Sequence, residues 1–169
     1  MFKINFLQLR TNSLLKKNKS IRVSIPYSQS KSIGVIFTVE DRKKHDDVKE
    51  FVKHLEQDGK VVRVLEFLPK KKENYDFLYS FFSLEHFNFW GSLTSDDALQ
   101  FTDQPFDYLF HLDEESNPLF QHILAKSKAH CRIGKFRENE NQFYELMIDS
   151  KGAYKELLDT IYKYTKELR

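Results

Sequence analysis

The sequence predicts an α/β domain built on a mainly parallel sheet, and three observations carry that prediction. Short β-branched apolar runs alternate with segments of helical periodicity. The stretches between successive runs are long enough to hold crossover helices. A chain of 169 residues, 40% of them hydrophobic, can bury one good core.

Residues 33–39, IGVIFTV, form the first strand, and DRKKHDDVKEFVKHLEQDGK then sets Val48, Phe51, Val52 and Leu55 at helical spacing, with Gly59 as the terminator. Residues 61–67, VVRVLEF, are a second strand that ends before Pro69. This is a βαβ unit, and its crossover implies a parallel pair wound right-handedly. Between residues 70 and 104, SFFSLEHFNFWG holds short strand-like pieces and SDDALQFTD reads as one short helix capped by Ser95. The second half repeats the pattern. DYLFHL at 107–112 is a strand, Asn117 and Pro118 open a helix whose buried stripe is Leu119, Phe120, Ile123 and Leu124, and HCRIGKF is the next strand. QFYELMI at 142–148 reads as an edge strand. The closing helix carries Tyr154, Leu157, Leu158, Ile161, Tyr162, Thr165 and Leu168 at spacings of three and four. The whole is a single Rossmann-like three-layer domain over residues 33–169, with five or six strands.

Charge divides the chain. Residues 1–32 carry Lys3, Arg10, Lys16, Lys17, Lys19, Arg22 and Lys31 and no acid, so a basic N-terminal arm of +7 precedes a body that is formally −5. Such an arm suits an anionic polymer, because each phosphate it neutralises releases counterions. Alternative roles are a basic helix laid on the domain's own acidic surface, an organelle presequence, or a segment that puts Phe2, Phe6 and Leu9 into a bilayer surface. The single cysteine, Cys131, precludes an internal disulfide and fits a reducing cytoplasm. No run of 18 apolar residues is present to span a membrane.

Candidate chemistry gathers at two places. Glu40 and Asp41 follow the first strand, and His111 and Asp113 lie at the end of the third, so all four face the carboxyl edge where open parallel sheets take ligands. They could serve as a ligand mouth, by acid/base work or by holding Mg²⁺, or could simply cap and solvate the helix start, as the heavily charged DRKKHDD run and the surface histidines His45 and His54 suggest. The second place is Lys70, Lys71 and Lys72 with the aromatic residues 75–90. Most of those rings read as core, with Tyr75 and Trp90 as exposed candidates for stacking on bases. The five glycines form neither a phosphate cradle nor a dinucleotide fingerprint, no nucleophile elbow is present, and the six histidines lack metal spacing. The sequence therefore implies no cofactor, no metal and no catalytic residue.

FDYLFHL followed by a helix and SKAHCRIG resembles the N-terminal domain of heptosyltransferase-type glycosyltransferases, over about 30 residues. The likeness implies a degenerate glycosyltransferase-like or small-molecule site, but His111 replaces the second acid of that pattern and Glu40–Asp41 replaces a Gly-Asp turn. The K-S-I-G strand at 31–34, the F-x-F-x-G element at 87–91, and the F-D strand with S-K-A and R-I-G are similar to a small family of uncharacterised proteins from Bacteroidota-type bacteria. That resemblance implies a bacterial cytoplasmic protein.

The expectation is thus a non-catalytic binding module. Its arm, through Lys3, Arg10, Lys16, Lys17, Lys19 and Arg22, with Lys70–Lys72, contacts RNA or a ribonucleoprotein such as the ribosome. An enzyme using the carboxyl edge, and a module docked on a protein or membrane surface, are the alternatives.

Overall fold

The computed structural model describes residues 4–169. Six strands form one sheet: β1 (Ser32–Thr38), β2 (Val61–Phe67), β3 (Ser80–Phe82), β4 (Tyr108–His111), β5 (Cys131–Lys135) and β6 (Leu146–Ile148). Every pairing is parallel, in the order β3-β2-β1-β4-β5-β6. The chain winds outward from β1 in one direction, returns beside β1 as β4, and winds outward in the other. Helices α2 (Arg42–Gln57) and α5 (Tyr154–Lys166) bury their apolar stripes on one face, and α3 (Asp96–Asp103) and α4 (Pro118–Lys126) on the other. β1 is apolar on both sides for this reason. Ile33, Val35 and Phe37 join the α2/α5 core and Ile36 joins the α3/α4 core.

The caps read from sequence are in place. Asn117 accepts from the Leu119 N–H at 2.9 Å, with Pro118 opening α4, and Ser95 accepts from the Ala98 N–H at 3.3 Å. The ambiguous middle contributes β3, an edge strand of three residues. At the opposite edge β6 is shorter than the expected 142–148, because residues 141–143 make a 3₁₀ turn that drives Phe143 and Tyr144 into the core. The DRKKHDD run is not a wholly solvated surface: Lys44 and His45 turn inward and are buried. Among the described residues no helix is long and apolar enough to cross a membrane, and no three His, Cys, Asp or Glu side chains converge as a metal site.

The N-terminal segment departs most from expectation, since it is no detached arm. Its residues from Ile4 to Lys17 form α1, which lies along α4. Leu7, only 1% exposed, enters the α3/α4 core, with Leu14 and Leu15 packed beside it. Gly91 makes this approach feasible: a Cβ there would stand 3.0 Å from the Leu7 nitrogen, and its φ of +72° suits glycine. Downstream, the Asn18 amide donates to the carbonyls of Ala125 and Ser127, both at 2.9 Å, and the Val23 N–H donates to the His130 carbonyl at 3.0 Å. The Tyr108 hydroxyl donates to the Ile25 carbonyl. The physical reason is amphipathicity: Leu7, Thr11 and Leu14 fall at helical spacing, so the same segment carries an apolar stripe to bury and a basic face to expose.

This packing has a measurable cost of removal. Leu7→Ala should destabilise the protein by about 3 kcal/mol, as for other fully buried leucines. The urea midpoint should fall accordingly; a change below about 0.5 kcal/mol, the range of a surface substitution, would show that α1 is not part of the cooperative unit.

Candidate functional site

In a sheet of this order the winding reverses between β1 and β4, and the crevice beyond their carboxyl ends is where such folds take ligands. Here that crevice is closed by the protein's own side chains. Asp113, 3% exposed, follows β4 and reaches across to β1, accepting from the Thr38 N–H at 2.8 Å and the Thr38 hydroxyl at 2.6 Å. Lys44, from the first turn of α2, donates to Asp113 Oδ1 at 2.8 Å and to Glu40 Oε1 at 2.5 Å. Asp41 caps α2 by accepting from the Lys44 N–H at 2.7 Å, so a carboxylate already occupies the helix end at which a phosphate would bind.

His111, 2% exposed, completes the closure. Its Nδ1 lies 2.7 Å from the Tyr144 hydroxyl and its Nε2 3.4 Å from Asp113 Oδ2. Burial lowers its pKa, against the pull of Asp113, so the ring is neutral at pH 7. The arrangement assigns one tautomer: Tyr144 donates to Nδ1, Nε2–H donates to Asp113, and Arg137 Nη1 donates in turn to Tyr144 at 3.0 Å. Burial alone would raise the Asp113 carboxyl, but the His111 hydrogen bond and the Lys44 charge hold it well below the usual range. Gly134 is what lets Tyr144 lie here, since a Cβ on β5 would stand 2.6 Å from its ring. The four mouth residues therefore divide: His111 and Asp113 are internal, whereas Glu40 and Asp41 remain exposed at the rim.

The basic residues of the N-terminal segment also divide. Arg22 turns inward, its guanidinium donating to the carbonyls of Ser127 at 2.8 Å and Ala129. Burial, then repulsion from Arg132, lowers its pKa to about 10. Lys16 and Lys19 are exposed, and Lys3 lies outside the described residues. Arg10 and Lys17 line a cavity of about 250 Å³ between α1, α3 and α4, together with Ser13, His122 and Lys126. A neighbouring cleft of about 300 Å³ shares Arg10 and Ser13 and adds Phe6, Leu9 and Trp90. Among the described residues no acidic side chain lines either one.

Trp90 is 57% exposed and meets the Phe6 ring edge-on at 5.4 Å, while Arg10 Nε donates to the Trp90 carbonyl at 2.8 Å. An aromatic face thus stands beside a row of cations. His122 anchors the row: its Nδ1 is 3.2 Å from the Thr11 hydroxyl, and burial, with repulsion from Lys126 and Arg10, lowers its pKa to about 4. Tyr75, expected to be exposed, is instead half-buried, with the His45 ring at 5.5 Å and the Arg42 guanidinium 5.5 Å from its centroid. Lys70, Lys71 and Lys72 stand apart on a separate groove beyond β2. Lys126, His122, Lys44, Tyr144 and Arg137 were invisible as site residues in the sequence; only the i,i+4 spacing of Glu40 and Lys44 hinted at a pair.

A family model matches residues 3–168, and the chain belongs to that family, described as "Family of unknown function (DUF6913)". Neither the curated proteins nor the solved structures gave a match to the chain.

Two tests address these geometries. Asp113→Ala leaves the buried Lys44 ammonium with only the exposed Glu40 as its partner and should cost about 3 kcal/mol. Because the Asp113 carboxyl is held low, its contribution is complete above the unfolded value near 3.8 and is lost as pH falls through the folded one. The difference from wild type should therefore stay constant from pH 8 to about 5 and shrink only in stronger acid. A difference that vanished near neutrality would disprove the buried ion pair. His122 behaves oppositely from the usual partnered histidine. Its folded pKa of about 4 lies below 6.5, so the unfolded chain takes up the proton first and stability declines as pH falls between those values, by about 3 kcal/mol in all. His122→Gln should flatten that part of the stability profile, and an unchanged slope would show that His122 stays accessible to protons.

Proposed function

We propose that this member of the family is a binding module for an anionic polymer, RNA either free or within a ribonucleoprotein such as the ribosome, and that it binds through the exposed face of α1. The observation that carries this reading is the convergence of Arg10, Lys17 and Lys126 on adjoining clefts that, among the described residues, no carboxylate lines, with the exposed ring of Trp90 at their edge. Lysine and arginine neutralise phosphates, and an aromatic face stacks a base of any identity. Lys16 and Lys19 extend the same charge along the surface. Because α1 is docked and not tethered, the cations are held in fixed relation to the ring, which reduces the ordering cost of binding. The reading assigns no catalytic step to the protein: His111 and Asp113, the residues an acid/base reaction would use, are sequestered in the closed carboxyl edge. It also assigns the protein to the bacterial cytoplasm, in keeping with the lone buried thiol of Cys131, which burial pushes up to about 12.

Fluorescence anisotropy of a labelled single-stranded RNA over a salt series tests the reading. Log affinity should fall linearly with log salt, and Lys17→Ala or Lys126→Ala should each reduce the slope by about 0.7. Trp90→Ala should weaken binding by about 1–3 kcal/mol with the slope unchanged, since stacking releases no counterions. Absence of RNA affinity at low salt rejects the proposal. Saturable binding to anionic vesicles that is lost in Leu9→Ser would replace it with a membrane-surface role.

A further inference from the structure

The lysines beyond β2 frame a second site. Leu68, Pro69, Phe81, Leu84 and Phe87 form the apolar lining of a groove of about 550 Å³, and Lys70, Lys71 and Lys72 stand on its wall. That volume is within the range of small-molecule pockets and about twice that of the α1 cavity. The groove opens past the carboxyl ends of β2 and β3, the edge at which a parallel sheet presents its loops to ligands. Its neighbour above β1 and β4 is filled by Asp113 and Lys44, whereas this part of the edge is open.

Three features mark the groove as built and not incidental. Lys71, in the lining, adopts a positive φ of 70°, and Asp76 and Phe77, outside the lining but on the same loop between β2 and β3, adopt 59° and 45°. Two of the apolar lining residues, Phe81 and Leu84, are exposed, and Phe77 and Leu78 expose further apolar surface just before them in the chain. Lys70, Lys71 and Lys72 are all exposed, and Lys72 is fixed, its Nζ donating to the Glu40 carbonyl at 2.6 Å, which ties the loop to the rim of the closed crevice.

We propose that this groove binds a small monophosphate carried on a flat apolar body, of the size and chemistry of a nucleoside monophosphate. Two neighbouring ammonium groups suit a dianion, and lysine engages phosphate as a point charge. The Phe81 ring, half-way out of the core, offers a face for a planar base. Glu85, also in the lining, can accept a hydrogen bond from a sugar hydroxyl or an exocyclic amine. This site is independent of the α1 face and stands or falls separately from RNA binding there.

Amide NMR of the full chain titrated with adenosine monophosphate, adenosine and inorganic phosphate tests it. The expected result is saturable shifts at Lys70–Lys72, Phe81 and Leu84 with the monophosphate, and binding weaker by about tenfold or more for adenosine or phosphate alone. The double variant Lys70→Ala, Lys71→Ala, at exposed positions that leave the core intact, should weaken binding by a similar factor. Phe81→Ser should do the same while leaving phosphate affinity unchanged. Equal affinity for bare phosphate, equal affinity for adenosine, shifts confined to the residues around Trp90 and Arg10, or no shifts at millimolar ligand would each overturn the proposal.

Discussion

Asp113 sits where β4 ends, and the structure is organised around keeping its charge inside. A buried carboxylate is tolerated only when donors surround it, and here they come from the Thr38 backbone and hydroxyl on β1, the Lys44 ammonium on α2 and the His111 ring on β4. His111 is oriented in turn by Tyr144, and Tyr144 by Arg137, so one charge fixes the relation of the two central strands, a helix and the loop after β5. Glu66 on β2 shows the alternative. It is fully buried with neither oxygen hydrogen-bonded, and burial pushes its pKa up to about 7, so it approaches neutrality by holding its proton. The same desolvation acts on both carboxyls, and the presence of partners decides which one ionises.

That arrangement converts a ligand crevice into a structural joint. In a doubly wound sheet the point where winding reverses is an unavoidable gap between loops, and it must be filled by a ligand, by water or by protein. Here Lys44 and Asp113 fill it, and Asp41 takes the helix end. The surfaces left with unmatched chemistry lie away from that point, on the outer side of α1 and beyond β2. The two proposed binding surfaces therefore lie on the flanks of the sheet's edge and not at its middle.

Periodicity made the strands, the crossover helices and their caps legible, because β-branched runs and i,i+4 stripes report directly on which side is buried. The parallel sheet followed from connection lengths. The site was only half legible. Strand parity put His111 and Asp113 on one face at the correct edge, but whether a pair points into a cavity or seals it depends on what other elements deliver, and Lys44, Tyr144 and Arg137 arrive from three of them. The N-terminal segment misled for a related reason. Counting charge over residues 1–32 averages the two sides of a helix, and it is the side bearing Leu7 that determines where the helix goes. Similarly, a run as polar as DRKKHDD can hold one inward turn, and His45 with Lys44 occupies it. Of the two rings expected at the surface, Trp90 is exposed and Tyr75 is half-buried, because the Tyr75 ring packs beside His45 on that inward turn.

The docking of α1 also sets a timetable for the chain's own assembly. The helix that closes over α4 is made about a hundred residues ahead of it, and Arg22 likewise waits for the carbonyls of Ser127 and Ala129. At ribosomal speeds of about 5–20 residues per second, the apolar stripe of Leu7, Leu14 and Leu15 goes uncovered for roughly 5–20 seconds on each nascent chain. Closure of so long a loop is entropically slow compared with local helix formation, so it belongs to the last stage of folding. Throughout that interval the segment is a cationic stretch too short to hold a stable helix alone, and its completed partner is what withdraws the stripe from other company.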